Sequence, residues 1–312
     1  MGDEAPGGLS PDEAFALLGS EPRIEILQAL GTADGSLTFS ALFDRVDYET
    51  TANFSYHLDR LDGQFLRSMD DGYALTQAGQ RVVEAVLSGA VTQSPVVERT
   101  PVSVPCSCCG GALELSYRNE RVGLYCPHCG GTRGEESDTT RPEAGDDVLG
   151  TVSLPPAGVR DRTPEELLGA AEIWTVTEAH AIARGVCPRC SAAVTRSVRV
   201  CEDHDGGTGR CDRCDQQFGV TMQTACTNCV FEEEAIFTKH LLADPDLMAF
   251  MLDHGVDPIA PEGFHVGALE EMILSADPFE AAFSFRADSE VLTLTVGEDL
   301  SVTDVTRERV EE

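Results

Sequence analysis

The stretch TFSALFDRVDYETTANFSYHLDRLDGQFLRSMDDGYALT, residues 38–76, decides the fold of the N-terminal part. Its apolar residues recur at helical spacing over 39–46 and again over 54–61, so each segment predicts a short helix with one buried stripe. Two strand-like runs follow within 65–76, around the turn formed by Asp70, Asp71 and Gly72. Two short helices followed by a hairpin predict a winged helix-turn-helix.

The second of these helices has one polar face. In a helix-turn-helix the second helix enters the major groove, where Asn, Ser and Arg side chains can hydrogen-bond base edges or phosphates. A protein-docking module is the alternative interpretation, because many winged helices bind no nucleic acid. The candidate DNA-contacting residues are Asn53, Ser55, Tyr56, His57 and Arg60 in the helix, with Arg67 in the wing as a phosphate contact.

Residues 10–90 resemble the ArsR-type winged-helix transcriptional regulators, in the variety common in salt-loving archaea. The resemblance rests on EPRIEILQAL (Glu21–Leu30), FSYHLDRL (Phe54–Leu61) and DDGYALTQAGQRVV (Asp70–Val83). It implies a regulator that binds double-stranded DNA, and a homodimer formed by the helices that flank the motif. The two wing-tip aspartates depart from the family, since a DNA-binding wing more often carries a cation there. We place this domain at 10–92, after a loose tail at 1–9.

The chain is strongly acidic, with 54 acidic against 22 basic residues and a formal charge of −32. In molar salt the Debye length falls to about 3 Å, so most of the self-repulsion disappears. A halophilic cytoplasm is the preferred explanation, ahead of an acidic interaction surface or a nucleic-acid mimic. Salt also weakens phosphate contacts, so DNA binding would depend on base edges, shape and dimerisation.

The sequence favours a cytoplasmic protein that is not an enzyme. No apolar run approaches the roughly 18 residues that a membrane span needs, and the start MGDEAPGG lacks a basic-then-apolar signal. The sequence contains no P-loop, no Rossmann glycine pattern and no serine elbow. We therefore expect no membrane partner and no catalytic residues.

Most of the twelve cysteines occur in Cys-x-x-Cys pairs, which in a cytosolic chain indicate metal rather than disulfides. The pairs Cys106/Cys109 and Cys126/Cys129 enclose two alternating strand-like segments. This arrangement predicts a zinc ribbon over 106–133, in which four thiolates hold one ion. Cys108 is left as a spare thiol or an alternative ligand. Linkers are predicted on either side, at 93–105 and 134–162, from their proline, glycine and acidic residues.

The C-terminal domain, 163–312, has a second and richer set of ligands. Two strand-like segments, 193–200 and 217–224, each have a ligand pair at either end. The six residues between His204 and Cys211 reach only about 20 Å, which is too short to run back along a strand, so the strands should be antiparallel. This favours a nested pairing over a sequential one. The nested pairs are Cys187 and Cys190 with Cys226 and Cys229, and Cys201 and His204 with Cys211 and Cys214.

His204 is either a ligand or only a turn residue, and in the second case the second set would hold a single ion. The chain as a whole should therefore bind two or three structural zinc ions. The rest of the domain predicts helices at 163–184, 232–243, 246–254 and 263–274, then three strands. The overall fold class is α+β. The domain from residue 163 onward resembles the C-terminal domains attached to such archaeal regulators. This resemblance implies no particular chemical activity.

The sequence thus favours a DNA-binding regulator whose zinc-stabilised C-terminal domain senses a ligand or recruits a partner. Two alternatives stay open. One is an adaptor whose ribbons engage the transcription or translation machinery. The other is a thiol or metal sensor that uses Cys108 or a labile second site.

Overall fold

The computed structural model describes residues 9–106, 109–128, 148–204, 211–214, 216, 218–259 and 269–310. The chain divides into two compact units, Met1–Gln93 and Ser94–Glu312. The described residues form a mixed α+β structure, as the sequence predicts. None of the helices in these ranges combines the length and the apolar character that crossing a bilayer requires.

The described residues of the first unit, from 9 onward, form five helices and one hairpin. Ser10 caps the first helix through a capping box with Glu13, and Thr38 caps the third through the backbone N–H of Ala41. The elements are α1 (Pro11–Leu18), α2 (Glu21–Gly31), α3 (Phe39–Val46), α4 (Thr51–Leu61), β1 (Leu66–Met69), β2 (Gly72–Leu75) and α5 (Gln77–Leu87).

The core of this unit lies beneath α4. Phe54, Leu58 and Leu61 are almost completely buried and pack with Ile26 and Leu27 of α2. The antiparallel hairpin β1–β2 lies beside Leu37. A Cβ added to Gly72 of this hairpin would be only 2.2 Å from the carbonyl oxygen of Leu37. Only glycine fits at that position, which also has a φ of +146°. The opposite face of α4 therefore points to solvent.

The second unit begins with a four-stranded antiparallel sheet, in the order β3, β4, β5, β6. The strands are β3 (Val97–Pro105), β4 (Ala112–Arg118), β5 (Arg121–Tyr125) and β6 (Val148–Ser153). Its two outer strands lie in segments that the sequence predicted as linkers, 93–105 and 134–162. The prolines of 97–105 indicated a linker, but β3 is an edge strand, where proline is tolerated because one side forms no ladder.

Helix α6 (Pro164–Ala183) follows and is buried on nearly all sides. Its first half contributes Leu167, Leu168 and Ala171 to the core of the four-stranded sheet. Its second half contributes Ile182 to the core that follows. A helix that is apolar all round is the expected form for an element between two cores.

The remaining elements surround the second core. They are β7 (Val194–Val200), β8 (Val220–Cys226), β9 (Glu232–Ile236), α7 (Phe237–Leu241), α8 (Pro245–Asp253), β10 (Leu269–Ala276), β11 (Phe279–Ala287), β12 (Glu290–Val296) and β13 (Val302–Arg309). Strands β7 to β9 form one antiparallel sheet and β10 to β13 another. The rings of Phe237 and Phe283 stack at 5.1 Å between centroids, inside a cluster that includes Met222 and Phe250.

Two helices predicted in this region differ from the structure, although α7 confirms the second half of the one predicted at 232–243. The segment 232–243 begins as strand β9, because Ala235 pairs with Met222 of β8 and this pairing outweighs the helix propensity of its glutamates. The segment 263–274 was also predicted as a helix, but Leu269 onward forms β10 and pairs with β11. Residues 263–268 lie outside the described ranges.

Candidate metal centres and nucleic-acid interface

The β7–β8 hairpin decides how the C-terminal ligands meet. Its strands are antiparallel, with Val194 opposite Cys226 at one end and Val200 opposite Val220 at the other. Ligand pairs that follow or precede the strands therefore come together at each end of the hairpin. The two groups that result are those of the nested pairing, and not those of the sequential one.

The first end carries what we call the four-cysteine group, formed by Cys187, Cys190, Cys226 and Cys229. All four sulfurs lie within 4.8 Å of one another. Cys187 Sγ is 3.7 Å from Cys229 Sγ, and Cys190 Sγ is 3.5 Å from Cys226 Sγ. Four thiols at these separations could hold one tetrahedral metal ion.

Backbone amides favour the thiolate form of one member of this group, Cys226. The N–H groups of Cys229 and Asn228 each donate to Cys226 Sγ at 3.3 Å. The Cys229 N–H makes the largest contribution to lowering the pKa of Cys226, which falls to about 6. Since a metal binds thiolate rather than thiol, this sulfur is prepared for a ligand role at neutral pH.

The other end carries the three-cysteine–histidine group, formed by Cys201, His204, Cys211 and Cys214. Cys201 Sγ is 4.0 Å from Cys211 Sγ, and His204 Nδ1 is 3.5 Å from Cys214 Sγ. His204, predicted as either a ligand or a turn residue, thus lies with the three thiols. Gly219 makes room for it, because a Cβ at that position would be 2.7 Å from Cγ of the imidazole.

The three-cysteine–histidine group is attached to the second sheet by Glu271 of β10. Its carboxylate accepts hydrogen bonds from the backbone N–H groups of Gly219, at 2.6 Å, and Val220, at 3.2 Å. Burial raises the pKa of Glu271, and the two N–H groups oppose that shift. This contact could not be predicted from local spacing, because Glu271 is 52 residues away from Gly219.

The ribbon group contains Cys106, Cys109 and Cys126, whose sulfurs lie within 4.8 Å of one another at one end of the β4–β5 hairpin. Cys109 Sγ is 3.5 Å from Cys126 Sγ and accepts a hydrogen bond from the N–H of Gly111 at 3.4 Å. Cys129, the predicted fourth ligand, and Cys108 lie outside the described residues. The described chain therefore has three groups that could bind a metal ion.

The candidate nucleic-acid interface is the outer face of α4 with the β1–β2 hairpin. Asn53, Tyr56 and Arg60 are exposed, as is Arg67 in β1. Ser55 is half-buried. These five residues remain on or near the surface that the sequence assigned to them.

His57 differs from the other candidates, because its ring is directed into the protein. Nε2 is 2.9 Å from the hydroxyl of Tyr48, and Nδ1 is buried. Burial is the main cause of a lowered pKa of His57, with a smaller contribution from the nearby Arg23 guanidinium. His57 therefore positions α4, and neither ring nitrogen is presented to a partner in this conformation.

Two family models match the chain, one in each of its two parts. A family model described as Domain of unknown function (DUF7351) matches residues 103–302, which is more than half of the chain. The chain belongs to this family. A second model, Domain of unknown function (DUF7347), matches residues 11–86. No curated protein and no solved structure matches the chain.

The DUF7351 segment contains every cysteine group, and the DUF7347 segment contains every candidate DNA-contacting residue. Within DUF7351, two side chains that sequence reasoning missed support the metal groups. One is Glu271, and the other is Glu178 of α6, which contacts Arg189. Both are acidic residues inside periodic segments, so their burial could be recognised only from the packing.

Proposed function

We propose that the protein is a DNA-binding transcriptional regulator. Its DUF7347 unit would act as a winged helix-turn-helix, and its DUF7351 region would be stabilised by zinc. The observation that carries the proposal is the outward face of α4. Asn53 and Arg60 are exposed there, and neither side chain forms a hydrogen bond or ion pair with any described residue. The helix follows a turn, as a recognition helix does. Exposed Asn and Arg side chains on such a helix can hydrogen-bond base edges in the major groove.

The roles of the contacting residues follow from their chemistry. Arg60 can bind guanine with two hydrogen bonds, and Asn53 can bind adenine in the same way. Arg67 would contact a phosphate from the wing. In a salt-rich solution the phosphate contact contributes little, so the base contacts would provide most of the selectivity.

The proposed metal is zinc. Thiolate sulfurs with at most one imidazole are typical of structural zinc sites, where four protein ligands leave no position open for water or substrate. The ions would hold the ends of the hairpins together without taking part in chemistry. We therefore assign the zinc a structural role and no catalytic one.

A homodimer is the second part of the proposal. Phe15 of α1 is 74% exposed and Leu87 of α5 is 42% exposed, and both helices flank the α3–α4 motif. These exposed apolar side chains would be buried if a second copy of the chain packed against the same helices. Two copies would read two half-sites, as dimeric helix-turn-helix proteins do.

The test is selection of DNA by the full chain, loaded with zinc, in molar KCl. The protein captures fragments of genomic DNA from the source cells, and the captured fragments are sequenced. Fluorescence anisotropy then measures the affinity of the protein for the enriched fragments. Arg60→Ala should weaken binding about tenfold or more, since one bidentate base contact contributes about 1–3 kcal/mol. Arg81→Ala is the matched control, because Arg81 is an exposed arginine of α5 paired with Glu84. Absence of enrichment, or equal effects of the two variants, would overturn the proposal.

The acidic surroundings of α4 favour a second candidate, a protein-docking module. Asp44, Asp47, Asp59, Asp70 and Asp71 are all exposed around the same helix and wing. These charges repel a polyanion and would suit a basic partner protein. Under this alternative the same selection recovers no preferred DNA. A stoichiometric protein complex would instead be captured from the cells and lost when Asp70 and Asp71 are replaced by Asn.

A further inference from the structure

The C-terminal half of α6 contains a buried acid, Glu178. Its side chain is only 6% exposed, and Oε1 lies 2.8 Å from Nη1 of Arg189. Lys239 is also near, but its ammonium group is paired with Glu233 at 2.5 Å. A buried carboxylate without a cationic partner is strongly unfavourable. The position of Arg189 therefore determines how stably this half of α6 packs.

Arg189 belongs to the loop that supplies two metal ligands. It lies between Cys187 and Cys190, and its backbone N–H donates to Cys187 Sγ at 3.4 Å. The guanidinium reaches Glu178 from this loop in the shape that the structure shows. A metal ion bound to the two cysteines would fix that shape.

The other knuckle repeats the arrangement in an exposed setting. Arg213 lies between Cys211 and Cys214, and its N–H donates to Cys211 Sγ at 3.4 Å. Its guanidinium pairs with Asp203, but these side chains are 65% and 67% exposed. An exposed pair contributes little, because water solvates either charge when the pair separates. The molecule thus contains its own control for the buried pair.

We infer that metal binding at the four-cysteine group holds the C-terminal half of α6 in place, with Arg189 as the positioning residue that transmits the effect. The inference rests on the proposed metal binding and adds a coupling to it. When the ion is bound, Arg189 neutralises Glu178 and α6 packs. When the ion is lost, the loop relaxes and Glu178 loses its contact with the guanidinium of Arg189.

This coupling is reciprocal. If the metal stabilises α6 through Glu178, then Glu178 must raise the affinity of the group for the metal by the same factor. Helix α6 has 20 residues, about 30 Å, and its other half packs on the β3–β6 sheet. The element held by this metal group therefore also carries the ribbon sheet.

The experiment measures metal release at each group separately. The zinc-loaded full chain is equilibrated with increasing chelator and alkylated with N-ethylmaleimide, and mass spectrometry of peptides reads the labelling of each cysteine. Glu178→Gln should make the four-cysteine group release zinc about tenfold more readily, because the coupling between the two sites is then lost. The three-cysteine–histidine group should be unchanged. Asp203→Asn, the matched control, should shift its own group by less than about twofold.

Three further readouts separate the coupling from general destabilisation. In the wild-type chain, amide hydrogen exchange over α6 should become faster when zinc is removed from the four-cysteine group. In Glu178→Gln, removal of zinc from that group should leave the exchange rate of α6 unchanged. Arg189→Gln should match Glu178→Gln, and the double variant should add nothing. Equal shifts at both groups, or no shift at the four-cysteine group, would overturn the coupling and leave zinc binding intact. Rapid alkylation of the wild-type chain regardless of added zinc would overturn zinc binding as well.

Discussion

The two ends of the β7–β8 hairpin connect their ligand groups to the rest of the fold through different contacts. Each end has a knuckle in which an arginine precedes the second cysteine and donates its N–H to the first. At the four-cysteine end that arginine contacts a buried acid of α6, whereas at the three-cysteine–histidine end it contacts an exposed aspartate. The second end is connected to the fold by Glu271 instead. If each group binds an ion as we propose, the elements around the ligands would decide what that ion stabilises.

The largest expected effect comes from removing one ligand at each end. Cys187 and Cys211 are a matched pair, because each is 1% exposed and each is the first cysteine of its knuckle. Cys187→Ser should lower the free energy of unfolding by about 4–5 kcal/mol, since it releases both the ion and α6. Cys211→Ser should cost roughly half as much. Urea denaturation in molar KCl measures both, and equal losses would contradict the distinction between the two ends.

The next effect concerns the middle of the hairpin, where His240 packs against β7. Its Nε2 lies 3.3 Å from Arg196 Nη1, so the ring accepts a hydrogen bond and is neutral. Burial and then Arg196 lower the pKa of His240 from 6.5 to about 4. Because the unfolded chain takes up this proton first, stability is complete above pH 6.5 and falls as the pH drops toward 4. The loss attributable to His240 is at most about 3 kcal/mol.

Comparison with His240→Gln isolates this contribution. The variant keeps every metal ligand, so the effect of acid on the metal groups is common to both chains. The difference in unfolding free energy between wild type and variant should change between pH 6.5 and 4 and stay constant above pH 7. A difference that does not depend on pH would show that folding leaves the pKa of His240 unchanged.

A smaller effect tests the three-cysteine–histidine end alone. Gly219→Ala would place a Cβ 2.7 Å from Cγ of His204 and 3.1 Å from Cδ1 of Ile273, so the imidazole must move. Zinc release from that group should become about tenfold easier, while the four-cysteine group keeps its affinity. Gly150→Ala is the control, because a Cβ there meets no atom within 4 Å. Site-resolved alkylation distinguishes the outcomes, and unchanged release would show that His204 is not a ligand.

The smallest effect is expected for the exposed pair. Arg213→Gln removes the contact with Asp203 but retains the backbone N–H that reaches Cys211. It should change the unfolding free energy by less than about 1 kcal/mol, with no effect that depends on zinc. The same urea titration would measure Arg189→Gln. An equal loss of unfolding free energy in the two variants would mean that the buried and the exposed ion pair contribute equally to stability.

The ligand sets and the hairpin between them could be predicted because local spacing determines them. A connection of six residues is too short for parallel strands, and this alone implies which cysteines meet. By contrast, Glu178 and Glu271 could not be found, since an acidic residue in a periodic segment is normally exposed. Strand β9 was missed for a related reason: its three glutamates favour a helix, and only pairing with β8 makes it a strand.

The N-terminal unit shows the same limit on a smaller scale. Helical spacing identified α3, α4 and the hairpin, because each element carries its own apolar pattern and turn residues. The pattern also directed His57 outward together with Asn53 and Arg60. Its contact with Tyr48, nine residues earlier, turns the ring inward. One polar side chain on a helix surface can be redirected by a partner that periodicity does not reveal.

Native mass spectrometry of the full chain purified from its own cells would decide whether each cysteine group binds its own zinc ion, because it counts the bound ions and identifies the element. We expect three zinc ions per chain. Cys187→Ser and Cys211→Ser should each remove one ion while the other two stay bound. A single ion shared by the eight C-terminal ligands, or iron in place of zinc, would contradict separate zinc sites at the two ends of the hairpin.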